Sequence, residues 1–219
     1  MSKKRSRTAS DSQPPPRPLP TLVVSGGAPG AESLWVEIAT EKACRVTVNV
    51  IPSASVDSET LKRVQPHVLT ERETLRTEDH VRMGANFLKR PTPSVDSRLF
   101  RILACRQWIV WDADAVFAVG DLFCCNPETG SMGVRGSLAW SCAMFKAGSI
   151  VTGRVNFFLY SITEKVGRGW YQCCVEEGDR VRWEKCAVAP SARGFKVIAA
   201  VGGIEVPKEA VAAMKGVFM

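Results

Sequence analysis

The stretch T-L-V-V-S-G-G-A-P-G-A-E-S-L-W-V-E-I-A-T-E-K-A-C-R-V-T-V-N-V-I, residues 21–51, decides the fold class. Leu22, Val23 and Val24 form a short apolar run that Ser25-Gly26-Gly27 stops. Pro29 then opens a segment in which Leu34, Trp35, Ile38 and Ala39 recur at helical spacing. Proline is well tolerated in a first helical turn because its missing N–H has no partner there anyway. From Arg45 to Ile51 apolar and polar residues alternate around three valines and an isoleucine, the pattern of a second strand. Strand, glycine turn, helix and strand make the unit of a parallel sheet with a right-handed crossover. The chain therefore reads as α/β.

Downstream, Thr70–Lys89 is charged with sparse apolar positions (Leu75, Val81, Met83, Phe87), which predicts one or two exposed helices ended by Pro91 and Pro93. Leu99, Ile102, Leu103, Arg106, Ile109 and Val110 lie at helical spacing between Val95 and Trp111. A-D-A-V-F-A-V, residues 113–119, predicts a buried strand ending at Gly120, and a loop of turn residues is expected through Gly133. Gly136–Lys146 reads as a helix and Val155–Tyr160 as a strand. Trp170–Cys174 and Phe195–Val201 read as two further strands, and Lys208 onward as a last helix.

Upstream of Thr21 the composition changes. Residues 1–20 carry Lys3, Lys4, Arg5, Arg7 and Arg17 against Asp11 alone, and five of the thirteen prolines. Of the net charge of +7, this segment holds +4 and leaves only +3 for the rest. With almost no large apolar residue it cannot offset its ordering entropy by burial, so it reads as a disordered basic tail preceding one domain, residues 21–219. It has no apolar core of a secretory signal. Its basic run fits a solvated segment or a nuclear address, and its Arg- and Ser-containing, acid-poor composition also fits a mitochondrial one. The whole chain, 45% hydrophobic and 23% charged over 219 residues, excludes wholesale disorder, a collagen repeat and a coiled coil. No run of 18 apolar residues is present, so no membrane span is expected.

Eight cysteines without a secretory signal point to reduced thiols in the cytoplasm or nucleus. Cys124-Cys125 and Cys173-Cys174 are adjacent, not spaced by two residues as zinc ligands commonly are, and only His67 and His80 supplement them. They read as buried thiols, with no metal site expected.

In an open parallel sheet ligands bind beyond the carboxyl ends of the strands. Two glycine-bearing turns fall there. In the first, Ser25, Gly26, Gly27, Ala28, Gly30 and Ala31 precede a helix whose first amides can hold an anion. Its spacing is neither that of a dinucleotide fingerprint nor that of a Walker loop, and a tight turn without ligand is the alternative reading. The second contains Arg135, Gly136 and Ser137, with Ser137 as a helix cap or phosphate donor and Arg135 as a phosphate partner or a plain surface charge. Gly120 closes the strand between them. Trp140 and Trp170 read as core, although Trp170 also suits packing on a base. Among acids near strand ends, Glu32, Asp57, Asp121 and Glu128, the best catalytic candidates are Glu32 and Asp121; a cap or a solvated loop is the alternative for each.

The segment V-V-S-G-G-A-P-G-A-E (Val23–Glu32) resembles the first phosphate loop of the SLOG superfamily. That superfamily includes the Lonely Guy hydrolases, the DNA-processing protein DprA and proteins assigned as molybdenum-cofactor carriers. R-Q-W-I-V-W-D-A-D-A-V-F-A-V-G (Arg106–Gly120) is similar to R-N-W-x-x-V-x-x-A-D-A-V-F-A-I-G of uncharacterised bacterial and phage members. Gly136-Ser137-Leu138-Ala139-Trp140 stands where those members carry G-G-T-G-W-A. Gly169-Trp170-Tyr171-Gln172 resembles their Q-W-Y segment, and Ala200–Glu205 resembles A-G-I-G-T-R-E. The matches are collinear from Thr21 to Phe218. The resemblance implies a Rossmann-like three-layer sandwich with a mainly parallel central sheet, a nucleotide or nucleotide-like ligand, and a homodimer.

This chain also departs from the pattern. Glu32 replaces the usual Asp, and Arg135-Gly136-Ser137 replaces Gly-Gly-Thr. The helix turn that carries the catalytic Glu in P-G-G-x-G-T-x-x-E offers Trp140, Ser141, Cys142 and Ala143 here. That glycosidase mechanism does not transfer. The expectation is nucleotide binding through the two turns. The alternatives are an N-glycosidase or phosphoribohydrolase using another acid, and nucleic-acid binding aided by the basic tail. The cofactor is left undetermined.

Overall fold

A computed structural model describes residues 17–52, 56–126, 128, 131–152, 156–176 and 180–219. The basic segment 1–16 lies outside the described residues, and with it the readings attached to the tail. Arg17–Pro20 belongs to the folded unit. Leu19 packs on the core, Pro20 is buried, and the Pro18 carbonyl accepts from Gly194 N–H at 2.9 Å.

The chain opens with β1 (Leu22–Ser25), α1 (Ala31–Glu41) and β2 (Arg45–Val50), the unit expected from the opening stretch. Next come α2 (Ser58–Arg63), β3 (His67–Val68), α3 (Glu71–Leu75), α4 (Glu78–Phe87) and α5 (Arg98–Val110). Then follow β4 (Ala115–Gly120), β5 (Leu122–Asn126), β6 (Ser131–Val134), α6 (Gly136–Thr152) and β7 (Asn156–Ser161). The chain ends with β8 (Gly169–Glu176), β9 (Arg180–Lys185), β10 (Val197–Gly202) and α7 (Lys208–Gly216).

Eight strands form one sheet in the order β3-β2-β1-β10-β4-β7-β8-β9. The pairs from β3 to β7 are parallel, and β8 and β9 are added antiparallel at one edge. Helices cover both faces, giving the α/β three-layer sandwich with a mainly parallel sheet. Period-two alternation sends successive residues to opposite faces. Val23, Phe117, Val119, Ile198 and Ala200 join Trp35 and Ile38 of α1 and Met214 of α7 in one apolar cluster. Val24, Val116, Ala118, Ala199 and Val201 join Phe100, Leu103 and Ile109 of α5 and Met144 and Phe145 of α6 in the other. β4 is buried on both faces, which is why A-V-F-A-V reads as an unbroken apolar run.

β10 enters the centre of the sheet last, and Asp114 fixes its register. The carboxylate accepts from the Lys196 and Val197 amides, both at 2.9 Å. The acid of the A-D-A-V-F motif is thus structural. Local signals set the helix starts. Asp57 caps α2 by accepting from Glu59 and Thr60 N–H, Ser97 caps α5 at Phe100 N–H, and Thr70 and Glu73 form a reciprocal capping box on α3.

Several expectations need correction. The segment after Gly120 is not a loop: β5 and β6 pair as an antiparallel hairpin there. Its strands are short and carry Cys, Ser and Gly, so no apolar alternation announced them. α4 is not wholly exposed, because Val81, Gly84 and Ala85 are buried. The cysteines are free thiols, but Cys124 and Cys125 are exposed on the hairpin rather than buried. No helix among the described residues is long and apolar enough to cross a membrane.

Candidate functional site

The chain leaves β1 for β2 on one side and β4 for β7 on the other, with β10 inserted between them. This reversal opens a cleft at the carboxyl ends of the strands, where a parallel sheet places its ligand. The cleft measures about 610 Å³. Ala28 and Pro29 follow β1, Gly120 and Asp121 lie at the end of β4, and Ile162 follows β7. Gly202 ends β10 and Gly203–Glu205 follow it, Arg135 precedes α6 and Gly136–Leu138 begin it, and Arg106 reaches in from α5.

Several groups of the first turn bond or pack within the protein itself. Ser25 Oγ donates to the Ala200 carbonyl at 2.9 Å. A Cβ on Gly26 would meet Glu32 Oε2 at 2.3 Å, and one on Gly27, which has φ +64°, would meet Val48 Cγ1 at 2.7 Å. Gly30, at φ +101°, lies against the backbone of the β10–α7 loop, where a Cβ would come within 2.5 Å of the Ile204 carbonyl oxygen. The Ala31 amide donates to the Gly203 carbonyl at 3.0 Å, and the Ala28 amide to Glu32 Oε2 at 3.4 Å. The glycines serve close packing between loops, and the Ala31 N–H is not free for a phosphate. Of the six residues expected to bind ligand here, only Ala28 lines the cleft.

Glu32 is 1% exposed and forms an ion pair and hydrogen bond with Arg106. Burial disfavours the charge on Arg106, but the adjacent Glu32 carboxylate outweighs it, holding the guanidinium above its ordinary range. Arg106 lines both the main cleft and a side crevice of about 200 Å³ that contains Glu32, Gly26, Asn49 and Cys105. Cys105 donates to the Asn49 carbonyl at 3.0 Å, and burial pushes its thiol up to about 12. Arg106 is the site residue that sequence reasoning passed over. It heads the R-Q-W segment, but nothing local marks a single arginine on an amphipathic helix.

The second turn is built differently. Gly136 has φ +62°, and a Cβ there would meet nothing within 4 Å. The Ala139 amide donates to the Arg135 carbonyl at 3.4 Å, so the helix ladder starts there and the amides of Gly136, Ser137 and Leu138 have no intrahelical acceptor. The Arg135 guanidinium carbon lies 4.3 Å from the centroid of the Phe123 ring on β5, which steadies it at the cleft. Arg135, Gly136, Ser137 and Gly120 all line the same cleft. So does Asp121, whose Oδ1 accepts from Thr163 Oγ1 at 2.8 Å. The loop after β10 completes the site. Gly203 N–H donates to the Val119 carbonyl at 3.0 Å while its own carbonyl takes Ala31, tying three strand ends together.

The remaining acids fall elsewhere. Asp57 is a helix cap, and Glu128 belongs to the β5–β6 turn, where its amide donates to Asn126 Oδ1. Trp140 and Trp170 are core residues, the latter edge-on to Phe117 and Tyr160. His67 pairs with Glu73 at 3.0 Å and His80 packs on Trp111, both away from the cleft. Among the described residues no three His, Cys, Asp or Glu side chains cluster as metal ligands. A larger groove of about 820 Å³ lies toward the other end of β10. Its Arg193 already donates to the Met219 and Arg17 carbonyls. Comparison with family models, with curated proteins and with solved structures finds no match to this chain, so its functional reading rests on the chemistry of the cleft.

Proposed function

We propose that the cleft binds a nucleotide or nucleotide-derived ligand with its phosphate at the start of α6. The observation that carries this reading is the meeting, at one strand-end cleft, of the first α6 amides, the Ser137 hydroxyl and the Arg135 guanidinium. A helix N-terminus concentrates unpaired donors and partial positive charge, and a nearby guanidinium adds a full charge. The volume of about 610 Å³ lies within the roughly 300–1,000 Å³ of small-molecule sites. Ile162 and Ile204 offer apolar surface for a base, and Asp121 and Glu205 offer acceptors for ribose hydroxyls. The resemblance to SLOG proteins supports the same ligand class.

Thermal melting against nucleoside mono-, di- and triphosphates and inorganic phosphate tests the reading. A rise of several degrees with at least one nucleotide is expected, because a ligand that binds only the folded state stabilises it. Gly203→Asp, which adds a carboxylate where a Cβ meets nothing within 4 Å, should remove the rise, and Arg135→Ala should weaken it. A flat panel rejects the proposal.

One observation favours a second reading, N-glycoside cleavage of nucleoside monophosphates. Asp121 places a carboxylate in the same cleft, where it could stabilise an oxocarbenium-like centre or activate water. Release of free base, abolished in Asp121→Asn, is the expected outcome. Absence of turnover at high protein concentration rejects it.

A further inference from the structure

Away from the cleft, α6 and β8 bury three reactive side chains together. Cys142 on α6 and Cys173 on β8 have their sulfurs 3.7 Å apart, within hydrogen-bond range for thiols. They are 5% and 0% exposed, in the apolar cluster that holds Phe157 and Trp183. Lys146, one helical turn after Cys142 and 1% exposed, donates from Nζ to the Cys173 carbonyl at 3.2 Å. Among the described residues no carboxylate lies within ion-pair distance of Lys146.

A buried ammonium needs a counter-charge or must give up its proton. A thiolate of the pair would supply that counter-charge. We infer that Cys142 and Cys173 form a redox-active dithiol, with Lys146 as counter-ion of the Cys173 thiolate, and that hydrogen peroxide converts the pair to a disulfide. The hydrogen bond from Cys142 favours the Cys173 thiolate, burial opposes it, and Lys146 tips the balance, so Cys173 lies below the ordinary thiol range. Cys142, as the donor to that thiolate, is pushed well above it.

In the first step the Cys173 thiolate attacks one peroxide oxygen. The O–O bond breaks, and the departing hydroxide takes a proton from the Lys146 ammonium to leave as water. Cys173 is then a sulfenic acid and Lys146 a neutral amine, so the core carries no net charge. In the second step the Cys142 sulfur attacks the Cys173 sulfur. The S–O bond breaks, and hydroxide leaves with the Cys142 proton as a second water. Two thiols lose two electrons, and the peroxide is reduced to two molecules of water. The new bond staples α6 to β8.

The test exposes the full chain to graded hydrogen peroxide, blocks free thiols with iodoacetamide under denaturing conditions and maps the digest by mass spectrometry. A cross-linked peptide joining Cys142 to Cys173 should appear first, lowering the alkylatable thiols from eight to six and reversing with dithiothreitol. Lys146→Leu, which keeps the site filled with an apolar side chain, should slow the cross-link about tenfold. The inference is overturned if the exposed Cys124 and Cys125 are consumed while Cys142 and Cys173 stay alkylatable. It is equally overturned if Lys146→Leu forms the cross-link at the unaltered rate.

Discussion

The two glycine-bearing turns look alike in sequence and do different work. In Gly26–Ala31 the glycines make room for Glu32, for Val48 and for the backbone at Ile204, and the Ala31 amide is bonded to Gly203. At Arg135–Leu138 the one glycine faces open space, and the helix amides precede the first rung of their ladder. A glycine reports that a side chain is not tolerated. It does not report whether protein or ligand fills the space.

Five variants test this contrast. Arg106→Leu strips Glu32 of its buried partner and should cost about 3–5 kcal/mol of folding stability. The double change Glu32→Leu with Arg106→Leu should recover much of it in denaturant melts. Gly30→Ala forces a Cβ against the Ile204 backbone at a positive φ, for a loss of about 3 kcal/mol. Gly136→Ala meets only the left-handed backbone penalty, about 1 kcal/mol. Gly203→Ala, where the added Cβ meets nothing within 4 Å and the backbone is not left-handed, should stay within about 0.5 kcal/mol of the original chain. Equal losses at Gly30 and Gly136 would erase the distinction between the turns.

Much of the sheet was legible because burial on both faces leaves continuous apolar runs, as in β1, β4, β7 and β10. The hairpin β5–β6 and the edge strands β3 and β9 were not. Their residues are short-paired or charged, and R-V-R-W-E-K in β9 gains its strand character from pairing with β8. In the site, Gly120, Asp121, Arg135, Gly136 and Ser137 were legible from their position after a strand. Arg106 was not, since its role depends on α5 bringing it to Glu32, 74 residues earlier in the chain. Nor was the closure of the first turn, which depends on the carbonyl of Gly203 arriving from the far end of the chain.

On the proposed reading the α6 turn, and not the first turn, receives the phosphate. Titration of the ¹⁵N-labelled protein with a nucleoside monophosphate, followed amide by amide, distinguishes the two turns. If the proposal holds, the largest shifts fall at Gly136, Ser137 and Leu138, with Ala31 almost unmoved. Dominant shifts at Ala28 and Ala31 with the α6 amides silent would contradict it.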